Sequence, residues 1–330
     1  MTYSALIKKL SQELDGVTHL EEDEAYHLFS AMLDDGVSDL ELGAIVTALR
    51  IKSESIEELL GFYRALVERV YPLALPGGDC PPANSCLPVV LPSYNGARHQ
   101  ANMLPLLALL LRECGVPVVV HGTLQDNGRL TTANILRELG IMPCINLPQA
   151  VQQIKEQGLV FLHVVTLCPG LAALMTLRER MGLSNSAHSL AKLIDPFPEG
   201  CLRVFSIPDP ADLARMREFL TITGARALLL RCTEEETYAD CRRRPQMEFF
   251  NDGASSILFE AEVGVMKQLP GDIDAHTTAG WIRRVLARDI AVPQSVISQL
   301  ACCLYGCGYA DDMSQAIAIA ASKAGNLVSA

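Results

Sequence analysis

At 330 residues, 49% hydrophobic and 20% charged, the chain can bury a large core and is too apolar to be a disordered segment. No charge-free apolar run reaches the roughly 20 residues that a membrane helix needs, and the opening MTYSALIKKL lacks the apolar core and cleavage site of a secretion signal. The net charge of −11 argues against a surface that attracts polyanions everywhere, but the acidity is uneven: residues 1–72 carry six Lys/Arg against fourteen Asp/Glu, the remainder twenty-one against twenty-four. Eleven cysteines, an odd number without any CxxC pair, read as reduced and mostly buried thiols. The expectation is a cytoplasmic protein that makes no membrane contact.

Three hydroxyl residues are each followed three positions later by glutamate: Thr18 with Glu21, Ser38 with Glu41, and Ser55 with Glu58. Each pair predicts a capped helix start. Ala25, Leu28, Phe29 and Met32, then Leu42, Ile45, Val46 and Leu49, then Leu59, Leu60, Tyr63 and Val67 recur at helical spacing, so residues 1–70 read as a helical bundle. A unit this small has more apolar face than it can bury alone, which suggests either a partner copy or packing against the rest of the chain. Pro72, Pro76, Gly77, Gly78, Pro81 and Pro82 form linker chemistry and mark a boundary.

Beyond it, Val89-Val90-Leu91 is a buried strand stopped by Pro92, Leu104 to Cys114 an apolar helix, and Val118-Val119-Val120 a second strand stopped by His121-Gly122. Together they predict a right-handed βαβ unit. Helix over 132–139, strand over 160–165, helix over 171–180, strand over 202–206, helix over 211–220, strand over 227–230, a short strand over 255–260 and a helical tail from Thr277 complete an α/β pattern. The fold class is therefore a small all-helical domain plus a large α/β domain with a mostly parallel sheet. Ligands of such sheets sit at the carboxyl ends of strands, which puts Ser93, Tyr94, Asn95, Gly96 and Arg98 in one crevice with His121 and Gly122.

DGVSDLELGAIVTALRIKSESIEELLGFYRAL over 35–66 resembles the helical segment of anthranilate phosphoribosyltransferases and pyrimidine nucleoside phosphorylases. The likeness continues through 91–122, ANILRELGI at 133–141 and MTLRERMGLSNSAHSLAKLIDPF at 175–197, and LPSYNGAR, VVVHG and NSAHSLAKL resemble the YbiB-like branch. It implies a helical domain of residues 1–72 that also receives helices from about 170–195, a large domain over 73–330, and a homodimer through the helical domain. The transferases carry Gly-Thr-Gly-Gly-Asp in the first loop, with backbone N–H groups on the pyrophosphate of the donor. Aligned on Asn102, that loop is here Pro92-Ser93-Tyr94-Asn95-Gly96, and the family's Lys-His-Gly-Asn is Val120-His121-Gly122-Thr123. The anthranilate-holding Arg falls on Ser184, and the magnesium-binding Asp-Glu falls on Thr237-Tyr238. Glu234-Glu235-Glu236, next to that pair, reads as a solvated acidic run.

The resemblance thus implies a crevice of Ser93, Tyr94, Asn95, Gly96, Arg98, Asn102, His121, Gly122, Asn185, His188 and Lys192 that has lost the transferase motifs. No catalytic residue, cofactor or metal is assigned to it. YbiB-like proteins are nucleic-acid binders, which makes Arg178, Arg180, Arg215, Arg217, Arg242, Arg243 and Arg244 the candidates for phosphate contact. The competing reading is a phosphoribosyl or pentosyl transferase acting on a substrate other than anthranilate.

Overall fold

The computed structural model describes residues 3–10, 18–74, 86–125, 128–231, 234, 236–263 and 269–325. The chain divides into two compact units, residues 1–72 with 164–196 and residues 73–163 with 197–330. Most of the proline- and glycine-rich segment after Pro72 lies outside the described residues.

The helical unit opens with α1 (Tyr3–Leu10), α2 (Glu22–Leu33), α3 (Asp39–Lys52) and α4 (Ile56–Val67). Ser55 caps α4 as its spacing predicts: its side chain accepts from the Glu58 N–H while Glu58 accepts from the Ser55 N–H. Glu58 is fully buried because it does more than cap, taking the Leu20 N–H at 2.8 Å and the ammonium of Lys52. Ser38 stands at the start of α3 without capping it, its hydroxyl donating to Glu41 instead. Thr18 does not open a helix. α2 begins at Glu22 behind Glu21, which forms its own reciprocal box with Glu24.

The α/β unit follows with β1 (Val89–Ser93), α5 (Leu104–Glu113), β2 (Val118–Gly122), α6 (Thr132–Glu138), α7 (Leu147–Gln157) and β3 (Leu159–His163). The chain then returns to the helical unit for α8 (Val164–Leu167), α9 (Pro169–Met181) and α10 (Ser186–Ala191). It re-enters the α/β unit with β4 (Leu202–Ser206), α11 (Pro210–Thr223), β5 (Ala227–Leu230), β6 (Arg243–Arg244), β7 (Met247–Asn251), β8 (Ala254–Phe259) and β9 (Glu262–Val263), and ends with α12 (Ala275–Leu286), α13 (Gln294–Gly306) and α14 (Met313–Lys323).

One seven-stranded sheet runs β3-β2-β1-β4-β5-β7-β8, parallel from β3 to β5 and antiparallel in the β7–β8 hairpin, while β6 and β9 pair separately. The first five strands are mostly apolar and, but for the last residue of β3, buried on both faces, as parallel strands covered by helices must be. β1 runs through Pro92 and does not stop there. It pairs with β4 only at Val89 and Val90, so the N–H that proline lacks falls where the ladder has already ended. No helix among the described residues is long and apolar enough to cross a membrane.

Candidate functional site

Strand order reverses direction between β1 and β4, since β2 and β3 lie to one side of β1 and β4 and β5 to the other. Ligand sites of such sheets lie at a switch point of this kind, at the carboxyl ends of the strands. Two glycines shape it. A Cβ on Gly122 would sit 1.7 Å from the Ser93 carbonyl oxygen, so only glycine lets the ends of β1 and β2 close together. Gly96 takes φ +63 beside the Leu130 backbone, turning the loop so that consecutive N–H groups point the same way.

Those N–H groups meet a protein carboxylate. Oε1 of Glu236 accepts from the Asn95 N–H at 3.0 Å and the Gly96 N–H at 2.7 Å, while Oε2 accepts from the Ser93 hydroxyl at 2.6 Å. Thr132 Oγ1 lies 2.8 Å from Ser93 Oγ and 3.0 Å from Asn102 Nδ2, and Asn102 Oδ1 accepts the Leu104 N–H that opens α5. Glu236 is fully buried. Glu234, also buried, accepts the N–H groups of Arg98 and His99, each at 2.6 Å. The acidic segment is therefore not a solvated run at these two positions: the N–H groups of the loop draw both carboxylates inward. Glu235 lies outside the described residues. Of the neighbouring pair, Thr237 donates to the Pro92 carbonyl at 3.1 Å and Tyr238 is buried in the apolar core. Among the described residues no group of three or more His, Cys, Asp or Glu is gathered as metal ligands would be.

His121, at the end of β2, is fully buried, its Nδ1 2.7 Å from the Tyr94 hydroxyl. Its Nε2 has no hydrogen-bond partner among the described residues. Burial depresses the imidazole pKa from 6.5 to about 3. The unfolded imidazole therefore binds a proton between pH 6.5 and 3 that the folded one refuses, and stability falls as pH drops through that window. Between pH 7 and 5 this histidine alone should lower the unfolding free energy by about 2 kcal/mol. Urea titrations at both pH values check it. His121→Gln should lose that part of the pH dependence, and an unchanged slope would mean that the folded imidazole is already charged. The difference between variants is needed because His188 is also depressed by burial, to about 4.

Arg98 is exposed and contributes its backbone N–H; the guanidinium that touches the loop is that of Arg129, donating to the Asn95 carbonyl at 3.2 Å. Asn185, His188 and Lys192 belong to the helical unit. There Asn185 caps α10, accepting the Ala187 N–H and donating to the Leu174 carbonyl, His188 completes the cap, and Lys192 closes the helix.

Known proteins are similar to this chain in sequence and in fold. Residues 4–70 match the helical bundle domain of a glycosyl transferase family. The chain is 41% identical to the Escherichia coli (strain K12) protein YbiB over 320 residues, covering 96% of this chain and 98% of that protein. The chain belongs to the YbiB-like branch of the anthranilate phosphoribosyltransferase-like family. More distantly, it is 27% identical to the anthranilate phosphoribosyltransferase of Sphingopyxis alaskensis over 54% of this chain and 51% of that enzyme. Its fold is that of anthranilate phosphoribosyltransferase from Thermus thermophilus, with TM-score 0.74, 21% identity and coverage of 98% and 94% of the two chains. The Saccharomyces cerevisiae enzyme in complex with PRPP and Mg superposes with TM-score 0.72 at 12% identity, covering 98% and 93%.

In this YbiB-like chain, four of the seven arginines singled out by sequence pair with carboxylates of other described residues. Arg180 pairs with Asp39 at 3.3 Å, Arg215 with Asp212, Arg217 with Glu248 at 2.7 Å, and Arg244 with Glu262 at 2.7 Å while lying over the Phe259 ring. Sequence spacing does not reveal most of these pairs, because the partners come from other elements. Arg178 sits half-buried in the last turn of α9. Arg242 and Arg243 are exposed, and no carboxylate among the described residues pairs with either side chain. Arg231, a lone arginine with no cluster to mark it in the sequence, is exposed after β5 and spends its Nε on the Pro208 carbonyl.

Proposed function

We propose that this protein is a dimeric nucleic-acid binder with little sequence preference, built on the anthranilate phosphoribosyltransferase fold with a first loop that no longer takes the pyrophosphate of a phosphoribosyl donor. The observation that carries this reading is the Glu236 carboxylate on the N–H groups of Asn95 and Gly96. The resemblance assigns such loop N–H groups to the donor's pyrophosphate. A buried carboxylate on those donors fills them and repels a second anion, which supports a site closed to phosphoribosyl transfer. With the crevice closed, phosphate contact falls to exposed arginines of the α/β unit, among which Arg231, Arg242 and Arg243 follow β5 or lie at β6. The reading is tested by pairing two measurements on one preparation. Phosphoribosyl transfer to anthranilate should be undetectable with or without Mg²⁺, and DNA should be retarded in gels at low salt. Mg²⁺-dependent turnover without retardation would replace this reading with that of a transferase.

The homodimer is proposed to form through α3. Leu40 and Ile51 are 85% and 80% exposed at its two ends, and Gly43, Ala44 and Thr47 lie between them at helical spacing on the same side. A Cβ on Gly43 would meet nothing within 4 Å, so the face is small-sided and open, as close helix pairing requires. Light scattering at micromolar concentration should give about twice the 35.8 kDa chain mass, and Ile51→Glu should shift it to the monomer value. A native protein of monomer mass across that range would refute the dimer.

A further inference from the structure

We propose that a cleft at the carboxyl ends of β4 and β5 takes one unpaired nucleotide of a bound strand, so that the protein prefers single-stranded to duplex nucleic acid; the inference rests on the nucleic-acid reading above. β5 is parallel to β4 and antiparallel to β7, with Leu230 opposite Met247, so the carboxyl end of β5 meets the amino end of β7. Around that junction lies a cleft of about 580 Å³ within the α/β unit. Small-ligand sites span roughly 300 to 1,000 Å³, and this volume suits a nucleotide.

The lining has the two halves a nucleotide needs. Pro208, Leu213, Pro245 and Ala261 offer apolar surface for the face of a base. Arg217, Arg231 and Arg243 bring three guanidiniums. Arg217 is fixed in plane by Glu248 at 2.7 Å and Gln246 at 3.3 Å, which suits it to stack on a base. Arg231 is anchored through Nε at 3.2 Å, its terminal nitrogens bond no other described residue and so are available to phosphate, and Arg243, exposed, lines the same cleft. Two carboxylates also line the cleft. Glu248 is engaged by Arg217, and Asp240 accepts the backbone N–H of Arg242 at 2.8 Å. A base can reach the apolar walls only when it is neither paired nor stacked within a helix, and that requirement separates single strands from duplex.

Fluorescence anisotropy on the full chain tests the inference, using a labelled oligothymidine strand, the same strand carrying abasic positions, and a blunt duplex at one salt concentration. The intact strand should bind about tenfold more tightly than either the abasic strand or the duplex. Ala261→Trp, which fills the cleft from an exposed position, should lower affinity for the intact strand about tenfold and leave duplex binding unchanged. Equal affinity of native protein for intact and abasic strands overturns the cleft assignment, as does an Ala261→Trp effect equal on strand and duplex; both leave the nucleic-acid reading standing. Absence of binding to all three probes at low salt removes that reading itself.

Discussion

Replacing Glu236 by alanine should lower the unfolding free energy by about 3–5 kcal/mol and produce a protein whose melting temperature, unlike that of the native chain, rises with added pyrophosphate. The carboxylate accepts from the Ser93 hydroxyl and from the Asn95 and Gly96 N–H groups, and Thr132 Oγ1 lies 3.4 Å from it. Removing an acceptor of this kind strands several buried donors at once, each costing about 1–3 kcal/mol unless water reaches it. The stranded donors then form a vacant anion cradle of the sort that the transferases' first loop is expected to provide. Pyrophosphate at a hundredfold excess over its dissociation constant would restore about 2.7 kcal/mol. Glu236→Gln keeps one carbonyl oxygen for the two N–H groups and should lose only about 1 kcal/mol. Thermal and urea unfolding with and without pyrophosphate decide it: equal stabilisation of native and alanine proteins would show that the cradle is already open. Restoring the transferase pair by Thr237→Asp with Tyr238→Glu should not recover transfer to anthranilate. Thr237 is tied to the Pro92 carbonyl and Tyr238 lies in the core, so those carboxylates would be buried behind a loop that Glu236 still fills.

The α/β framework is legible in the sequence because its parallel strands are short, mostly apolar runs between turn residues. β4 and β5 appear at the bounds read from sequence, 202–206 and 227–230. Several elements are not captured by that reading, α7 and β7 among them. α7 is missed although Leu147, Ala150, Val151 and Ile154 recur at helical spacing, and Asn146 as cap, Pro148 in the first turn and Gly158 at the end all signal it. β7 is missed although Asp252 and Gly253, with φ of 50 and 78, form the two-residue turn that an Asp-Gly pair announces. The first loop and its likeness to a pyrophosphate loop can be read from 92–96. Its occupant cannot, because Glu236 lies about 140 positions away and binds backbone N–H groups, which leave no mark on residue identity. The arginine partners divide in the same way: Asp212 and Arg215 are neighbours on one helix, whereas Arg217 and Glu248 meet only once α11 packs beside β7.

Affinity for nucleic acid should fall by about one and a half to three decades between roughly 50 and 200 mM salt, the mark of binding through released counterions. The slope of log affinity against log salt is about −0.9 per phosphate neutralised on duplex DNA, and about three to six neutralised phosphates give that range. The acidic N-terminal 72 residues do not compete for this role, since their charge repels a polyanion. Within the α/β unit the arginines are not equivalent. Arg242 and Arg243 are exposed and face no carboxylate partner among the described residues, so each can exchange water and counterions for a phosphate. Arg244 is held by Glu262 and the Phe259 ring and must first leave both. Arg242→Ala with Arg243→Ala should therefore flatten the slope by about 0.9 for each phosphate no longer neutralised, while Arg244→Ala should change it little. His121→Gln and Asn95→Ala, in the crevice, should leave the slope as it is. Gel-shift titrations at several salt concentrations measure all of these. An affinity indifferent to salt and abolished by the crevice variants would place the ligand at the carboxyl ends of β1 and β2, and the arginines would then be ordinary surface.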